Sequence, residues 1–388
     1  MKILDEGDVC IIGGGLVGST IAYQLSRERK RVILLEKDFP AAGASGSTFG
    51  LIGFQWFKYD TEMPVLFIDY LKESYDLYKG MTQEIGKDFE YRVTGSLVTI
   101  ETEEELEQRK KLVDFFEKQG LEIMLLNKGE TLKLEPLVNP NILGSTFCPY
   151  EGEINPFKLV YYTLMRAGEY GTQIHLPVKI EGIDCQNGRI KGVFTNKGRL
   201  RTECIVNASG SGGEAIAKMV GLKIPLKMQK GQVLVTEPIP PIITRQVHHL
   251  KKLKMPKGEL PVPESTEIVQ KANGNLFLGG TREDLPFYET KNTLQGIHTV
   301  ARKAIHLIPS IKEVQIIRSF AGVRHIPVDS YPVLGESKRV KGFFNAILHA
   351  AVMMTPIVGQ VISDLIIKGR SKLPIGEFSI ERFQEEAV

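Results

Sequence analysis

Three glycines near the N-terminus constrain this chain more than any other feature. Gly13, Gly15 and Gly18 give the spacing G-x-G-x-x-G directly after the apolar run at residues 8–12. A short, wholly apolar run of this kind reads as a strand buried on both faces of a parallel sheet. Residues 16–29 follow as a helix, with Val17, Ile21, Ala22 and Leu25 on one buried face. Residues 31–36 form the next strand, so strand, tight turn, helix and strand make a right-handed crossover. The glycines allow, in turn, a tight turn, close approach of the backbone to a pyrophosphate, and packing of helix on strand. The helix-start amides, at Leu16 and Val17, and the helix dipole favour phosphate. Glu36 ends the second strand, where a carboxylate accepts bonds from ribose hydroxyls. The unit predicts a dinucleotide site.

A second nominal match, Gly210-Ser211-Gly212 then Ala215 with Glu237 downstream, is a poorer one. Its helix ends by Gly221 and Pro225 interrupts the unit. One complete dinucleotide site favours a flavin taking electrons directly from its substrate. An NAD-dependent dehydrogenase is the alternative.

Beyond the opening unit, residues 102–120 predict a surface helix with a Thr102/Glu105 capping box and a stop at Gly120. Residues 173–206 alternate short β-rich runs with turns at Asn187-Gly188 and Lys197-Gly198, and Ile205–Asn207 returns as a buried strand. Residues 225–290 are rich in proline, glycine and strand-like runs. Near the end, Thr355 is placed to cap a helix with Pro356 at its first position and Gly369 at its close. The order implies an α/β chain: a Rossmann-like FAD-binding domain with an inserted β-rich α+β substrate domain. The expected division is 1–90, 146–225 and 321–388 for the first, and 91–145 and 226–320 for the second.

Net charge is +3 over 388 residues, too mild to argue for nucleic acid or an anionic surface. Cys10, Cys148, Cys185 and Cys204 are scattered without metal-ligand spacing, which points to a reducing compartment, the cytoplasm. The longest apolar stretch, residues 342–367, is interrupted by Asn345, His349, Pro356, Gln360 and Asp364, so no membrane span is expected.

Motifs along nearly the whole chain resemble the D-amino-acid oxidase-like family of FAD-dependent amine oxidoreductases. They include CIIGGGLVGSTIAYQLS, GASGSTFG at 43–50, EGEINPFKLV at 151–160, IVNASG at 205–210, AGVRHIPVDSYPVLGE at 321–336 and MMTPIVGQVISDLI at 353–366. The family includes glycine oxidase, sarcosine oxidase and the β subunits of proline, hydroxyproline and sarcosine dehydrogenases. The resemblance implies that Glu36 and Lys37 contact the adenosine ribose, and that Ala44, Ser45 and Ser47 run beside the pyrophosphate and flavin. It places the Val178 backbone at the adenine, Ala208 and Gly210 near the pyrophosphate, and Met353, Met354 and Thr355 at the flavin. Arg324 matches the arginine that holds the substrate carboxylate, a role suited to a planar guanidinium.

The implied reaction is oxidation of an α-amino or secondary amino acid (glycine, sarcosine, proline, hydroxyproline or an opine) to its imine, by a dehydrogenase subunit with a partner subunit. The alternatives are a flavin-carrying electron-transfer or assembly subunit, and a free-standing oxidase producing hydrogen peroxide. No cysteine stands where monomeric sarcosine oxidases attach flavin, so FAD is expected to be non-covalent. One departure stands out: the family's glycine-rich turn before the last helix is here His349-Ala350-Ala351. His349 is either a group facing the cofactor or a core histidine.

His248-His249 lacks companion ligands for a metal, so none is expected. Lys251, Lys252, Lys254 and Lys257 read as a solvated loop, and Trp56 and Phe57 as either pocket or core aromatics.

Overall fold

A computed structural model describes residues 3–55, 65–250 and 266–384. The opening unit forms as its glycines predict: strand Val9–Ile12, helix Leu16–Arg27 and strand Val32–Leu35, with the two strands parallel neighbours. Gly13 has φ +113°, and a Cβ there would lie 2.5 Å from the Ala208 carbonyl oxygen. At Gly18 a Cβ would come within 2.0 Å of the Gly13 carbonyl oxygen. No other residue fits either position. The helix is not one-faced as expected: it is buried from Leu16 through Ser26. Helices Pro156–Glu169 and Ala351–Lys368 both pack on it. Its Ser19 and Ser26 hydroxyls donate to the Leu16 and Tyr23 carbonyls, which satisfies polar groups shut away from water.

Around this unit a six-stranded sheet runs in the order Gln173–His175, Val32–Leu35, Val9–Ile12, Ile205–Asn207, Phe343–Ile347, Val333–Glu336. The first five are parallel and the last is antiparallel. The predicted meander is present, with positive φ at both Asn187 and Gly188, as a two-residue hairpin turn requires. After Ile205–Asn207 the chain passes through a 3-10 turn and the short helix Gly213–Lys218 into the second sheet. The second glycine motif therefore builds no crossover.

The larger sheet has nine strands among the described residues. Its longest strand, Leu226–Pro238, lies second from one edge, paired with Ile316–Pro327 on one side and with Asn275–Gly279 and Glu283–Leu285 on the other. Side chains alternate across the sheet. Leu234, Val247, Ile268 and Leu278 lie under helix Leu294–Leu307 in one apolar core. In the register row beside them, Val233, Gly279, Glu267 and His248 stand opposite one another on the other face. Strands Gly144–Cys148 and Ile316–Pro327 run across the boundaries placed at 145/146 and 320/321.

Helix Glu103–Lys118 carries the predicted capping box, and Gly120 has φ +71°. The last helix corrects the sequence reading. It begins at Ala351, with Ala350 rather than Thr355 in the cap position, and Pro356 lies inside it. A proline there removes the N–H that would meet the Val352 carbonyl. Tyr78, on the neighbouring helix Val65–Ile85, donates its hydroxyl to that carbonyl, and Ser74 donates to the Met353 carbonyl. The Thr355 hydroxyl donates back to the Ala351 carbonyl at 2.6 Å instead of capping. This helix has the length and apolarity of a membrane span, but most of it is buried, packed on Leu16–Arg27 and Val65–Ile85. Trp56, Phe57 and the four lysines at 251–257 lie outside the described residues.

Candidate active site

A cavity of about 1000 Å³ lies between the two sheets. One end is walled by Leu16, Ala44, Ser45 and Gly210, and the other by Arg324, His349 and Met353. Volumes of this size are at the upper end for cofactor clefts.

At the glycine end the polar groups are few and well placed. The Glu36 carboxylate accepts from the Gly14 amide at 2.7 Å and the Asp38 amide at 2.9 Å. The Leu16 amide donates to Ser45 Oγ at 3.0 Å, and a Cβ on Gly15 would lie 2.8 Å from that oxygen. Ala208 abuts Gly13. Val17 and Gly18 turn into helix packing, away from the cavity wall. Lys37 is exposed, 3.9 Å from Asp38. The Val178 side chain is buried in the core behind the sheet, while its amide donates to the Glu36 carbonyl at 2.7 Å. Ser47 presses on the other sheet, where a Cβ on Gly322 would lie 2.5 Å from its own Cβ.

These features fit the adenosine diphosphate half of FAD. Two glycines admit no Cβ, a helix start opens on the cavity with its first amides lacking intrahelical acceptors, and a carboxylate ends the second strand.

The far end is built from side-chain charge. Arg324 stands on Ile316–Pro327 opposite Gln229, and its guanidinium lies over Gly231. A Cβ there would come 2.8 Å from Nη1 and 3.3 Å from Nη2. Nη1 is buried without a hydrogen-bond partner among the described residues. Desolvation lowers the proton affinity of Arg324, the nearby charge of Arg282 lowers it further, and Glu267 opposes both. His349 occupies the bend between Phe343–Ile347 and the last helix. Desolvation, with Arg324 and Arg282 adding to it, pushes its pKa down to about 4, so the ring is neutral at pH 7. Ala350, Ala351 and Met353 border the cavity, whereas Met354 and Thr355 are fully buried in the helix packing.

Four charged wall residues escaped the sequence reading: Arg109, Lys111, Glu267 and Arg282. Arg109 reaches in from helix Glu103–Lys118 and donates to the Gln55 carbonyl at 3.0 Å. Gln55 is itself fixed, because its side chain donates to Ser96 Oγ and accepts from Thr146 Oγ1. The buried Glu151 carboxylate accepts from the Phe54 and Gln55 amides and from Ser96. Burial raises the Glu151 pKa, and those hydrogen bonds act against the rise. The one available signal was glycine in strand-like runs, at 231 and 279–280, where the backbone leaves room for a neighbour's side chain.

His248 and His249 point to opposite faces. Burial chiefly holds the His248 pKa at about 4, and His249 Nδ1 lies 3.0 Å from Thr99 Oγ1. Among the described residues no group of three or more His, Cys, Asp or Glu is arranged to hold a metal.

A family model described as FAD dependent oxidoreductase matches residues 8–365. The chain is 26% identical to glycine oxidase of Geobacillus kaustophilus, covering 97% of each protein. It is likewise 26% identical to the hydrogen cyanide synthase subunit HcnC of Pseudomonas aeruginosa, covering 98% of this chain and 97% of that one. The crystal structure of L-proline dehydrogenase from P. horikoshii superposes with a TM-score of 0.87 at 28% identity, covering 98% of both chains.

Proposed function

Since the chain belongs to the DAO family of FAD-dependent oxidoreductases, we propose that it oxidises an α-amino or secondary amino acid to its imine. The observation that carries this reading is Arg324, a cavity-wall guanidinium whose buried Nη1 has no partner among the described residues. A buried unpaired donor is costly, and a carboxylate matches the fork bidentately.

Bound without a covalent link, FAD supplies the two-electron acceptor for the substrate Cα–H, while the amine nitrogen loses a proton. Gly13, Gly15, Leu16, Ser45, Ala208 and Gly210 hold its diphosphate, with Gly18 keeping the helix close to the turn, Glu36 and Lys37 hold the adenosine ribose, and the Val178 backbone meets the adenine. None of the four cysteines borders the cavity, in keeping with non-covalent binding. Arg324 takes the carboxylate and so fixes where Cα stands, and placement is the main requirement for such a transfer. The first amides of the last helix, from Ala351 to Met353, bring the helix's positive end to the cavity wall. With a pKa near 4, His349 is too weak a base to deprotonate an ammonium, so the substrate enters as the free amine.

The six-stranded sheet carries FAD and the nine-stranded sheet the substrate. The likeness to HcnC, a synthase subunit, supports work beside a partner subunit. Anaerobic mixing of the FAD-loaded protein with glycine, sarcosine, proline and hydroxyproline tests the reading. Bleaching by at least one is expected. An oxidised flavin after all of them would point to the second reading, a flavin-carrying subunit without turnover, which the Ala350 and Ala351 methyls on the cavity wall favour.

A further inference from the structure

We propose that Glu267 receives the substrate's amine while Arg324 holds its carboxylate, so that one sheet face reads both ends of an amino acid. This rests on the amine-oxidising reading above and assigns the nitrogen-binding group of that same site. Strand register places the carboxylate. Gly279 pairs with Val233 on one side and with Glu267 on the other, so the three share one row and one face of the nine-stranded sheet. Gly231, beneath the Arg324 guanidinium, lies two residues along the strand from Val233 and therefore on the same face. Glu267 thus stands two strands, roughly 10 Å, across from that strand. Its side chain and the carboxylate-to-nitrogen length of an amino acid fill the gap. The strand between them carries Gly279, where a Cβ would meet the Phe49 ring at 2.4 Å, so that ring is the apolar side of the gap.

Charge points the same way. Among the described residues Glu267 is the one carboxylate on the cavity wall. Its charge is felt at both Arg324 and His248, where it favours the proton. The neutral His349 ring also accepts hydrogen bonds, but Arg324 and Arg282 disfavour positive charge beside it. Nitrogen is where positive charge develops. As the Cα–H bond breaks and its electron pair passes to FAD, the nitrogen lone pair closes the C=N bond and leaves the nitrogen cationic. A carboxylate beside that atom stabilises the transition state more than the bound amine. One N–H proton then passes to Glu267 and on to water, leaving the imine. Glu267 has contacts of its own, but a carboxylate offers about four lone-pair sites and accepts the amine alongside them.

Pyrrole-2-carboxylate and 2-furoate are a matched pair of non-reacting probes: both have a five-membered ring and a carboxylate, with an uncharged N–H in one where the other has oxygen. By calorimetry on the FAD-loaded unaltered protein, the pyrrole should bind about tenfold tighter, since the furan oxygen meets the lone pairs of the carboxylate. In Glu267→Gln that preference should fall to about threefold or less, because the amide accepts from N–H and, turned over, donates to oxygen. Anaerobic flavin reduction by whichever amine bleaches the protein gives a second readout. The limiting rate of the variant should fall about 100-fold while its apparent Kd stays within about threefold, a split that a merely structural change does not give. Equal affinities for the two probes in the unaltered protein would overturn the proposal even if the variant failed to fold. A preference that survives the substitution, or an unchanged limiting rate, would overturn it too. If every amine leaves the flavin oxidised but the pyrrole preference is present and lost in the variant, the amine-oxidising reading fails while Glu267 stands as the N–H acceptor.

Discussion

At the glycine end of the cavity, the recognition elements fall between Gly13 and Ser47, one local stretch of chain with Ala208 and Gly210 behind it. At the Arg324 end they come from five separate places: Arg109 on a helix, Glu267 and Arg324 on two strands, Arg282 beside a third, and His349 in a bend. The first end works through backbone shape, the second through side-chain charge on a sheet face. Backbone shape tolerates almost no substitution, whereas charge on a sheet can be exchanged one residue at a time. The difference implies that changes at the glycine end remove the cofactor, while changes at the other end alter which substrate is used.

The sharpest test of that division is Gly18→Ala. Its methyl group would lie 2.0 Å from a backbone oxygen that cannot move without opening the turn. The purified variant should hold less than about a tenth of the flavin, measured by absorbance after desalting. Normal flavin content would mean that the turn is softer than its geometry.

Arg324→Ala should do the opposite: FAD stays bound while the substrate KM rises roughly 30-fold or more, the equivalent of about 2 kcal/mol. An unchanged KM with full flavin would remove the arginine from substrate binding.

Tyr78→Phe probes the scaffold beneath both ends. It strands the Val352 carbonyl that Pro356 leaves without a helical donor, at a cost of about 1–3 kcal/mol. The unfolding midpoint should fall by roughly 2–6 °C, and a midpoint within error of the unaltered protein would show that the proline is accommodated some other way.

The smallest effect concerns pH. His349 has its pKa lowered from 6.5 to about 4 in the folded protein. Between those values the unfolded chain binds the proton and the folded one does not, so stability is kept above pH 6.5 and lost as pH falls toward 4. His349→Asn should flatten that part of the stability profile, followed by thermal melts at half-unit steps; a slope no shallower than that of the unaltered protein would show that His349 does not drive the loss.

The same contrast explains what could be read from the sequence. Strand, glycine turn, helix and Glu36 are adjacent in the chain, and their roles follow from local sterics. The capping box at Thr102 and the Asn187-Gly188 turn were legible for the same reason. The start of the last helix was not. Thr355-Pro356 is a good local start signal, but Tyr78, from a distant helix, supplies the donor that lets the helix run back to Ala351. Arg282 and Glu267 were hidden in another way: only the register of the nine-stranded sheet brings them beside Arg324, and no spacing in the sequence encodes that register. Arg324 was singled out through resemblance; it borders the cavity, and its neighbours set how its charge behaves.

The contact of Ser47 with Gly322 ties the two ends together. Ser47 belongs to the loop beside Ser45, and Gly322 lies two residues before Arg324 on the same strand. A shift of the loop as the dinucleotide settles therefore moves the strand that presents the guanidinium. In thermodynamic terms the two ligands are then linked around a closed cycle. Whatever factor the cofactor contributes to the affinity of a non-reacting carboxylate, the carboxylate returns to the affinity of FAD.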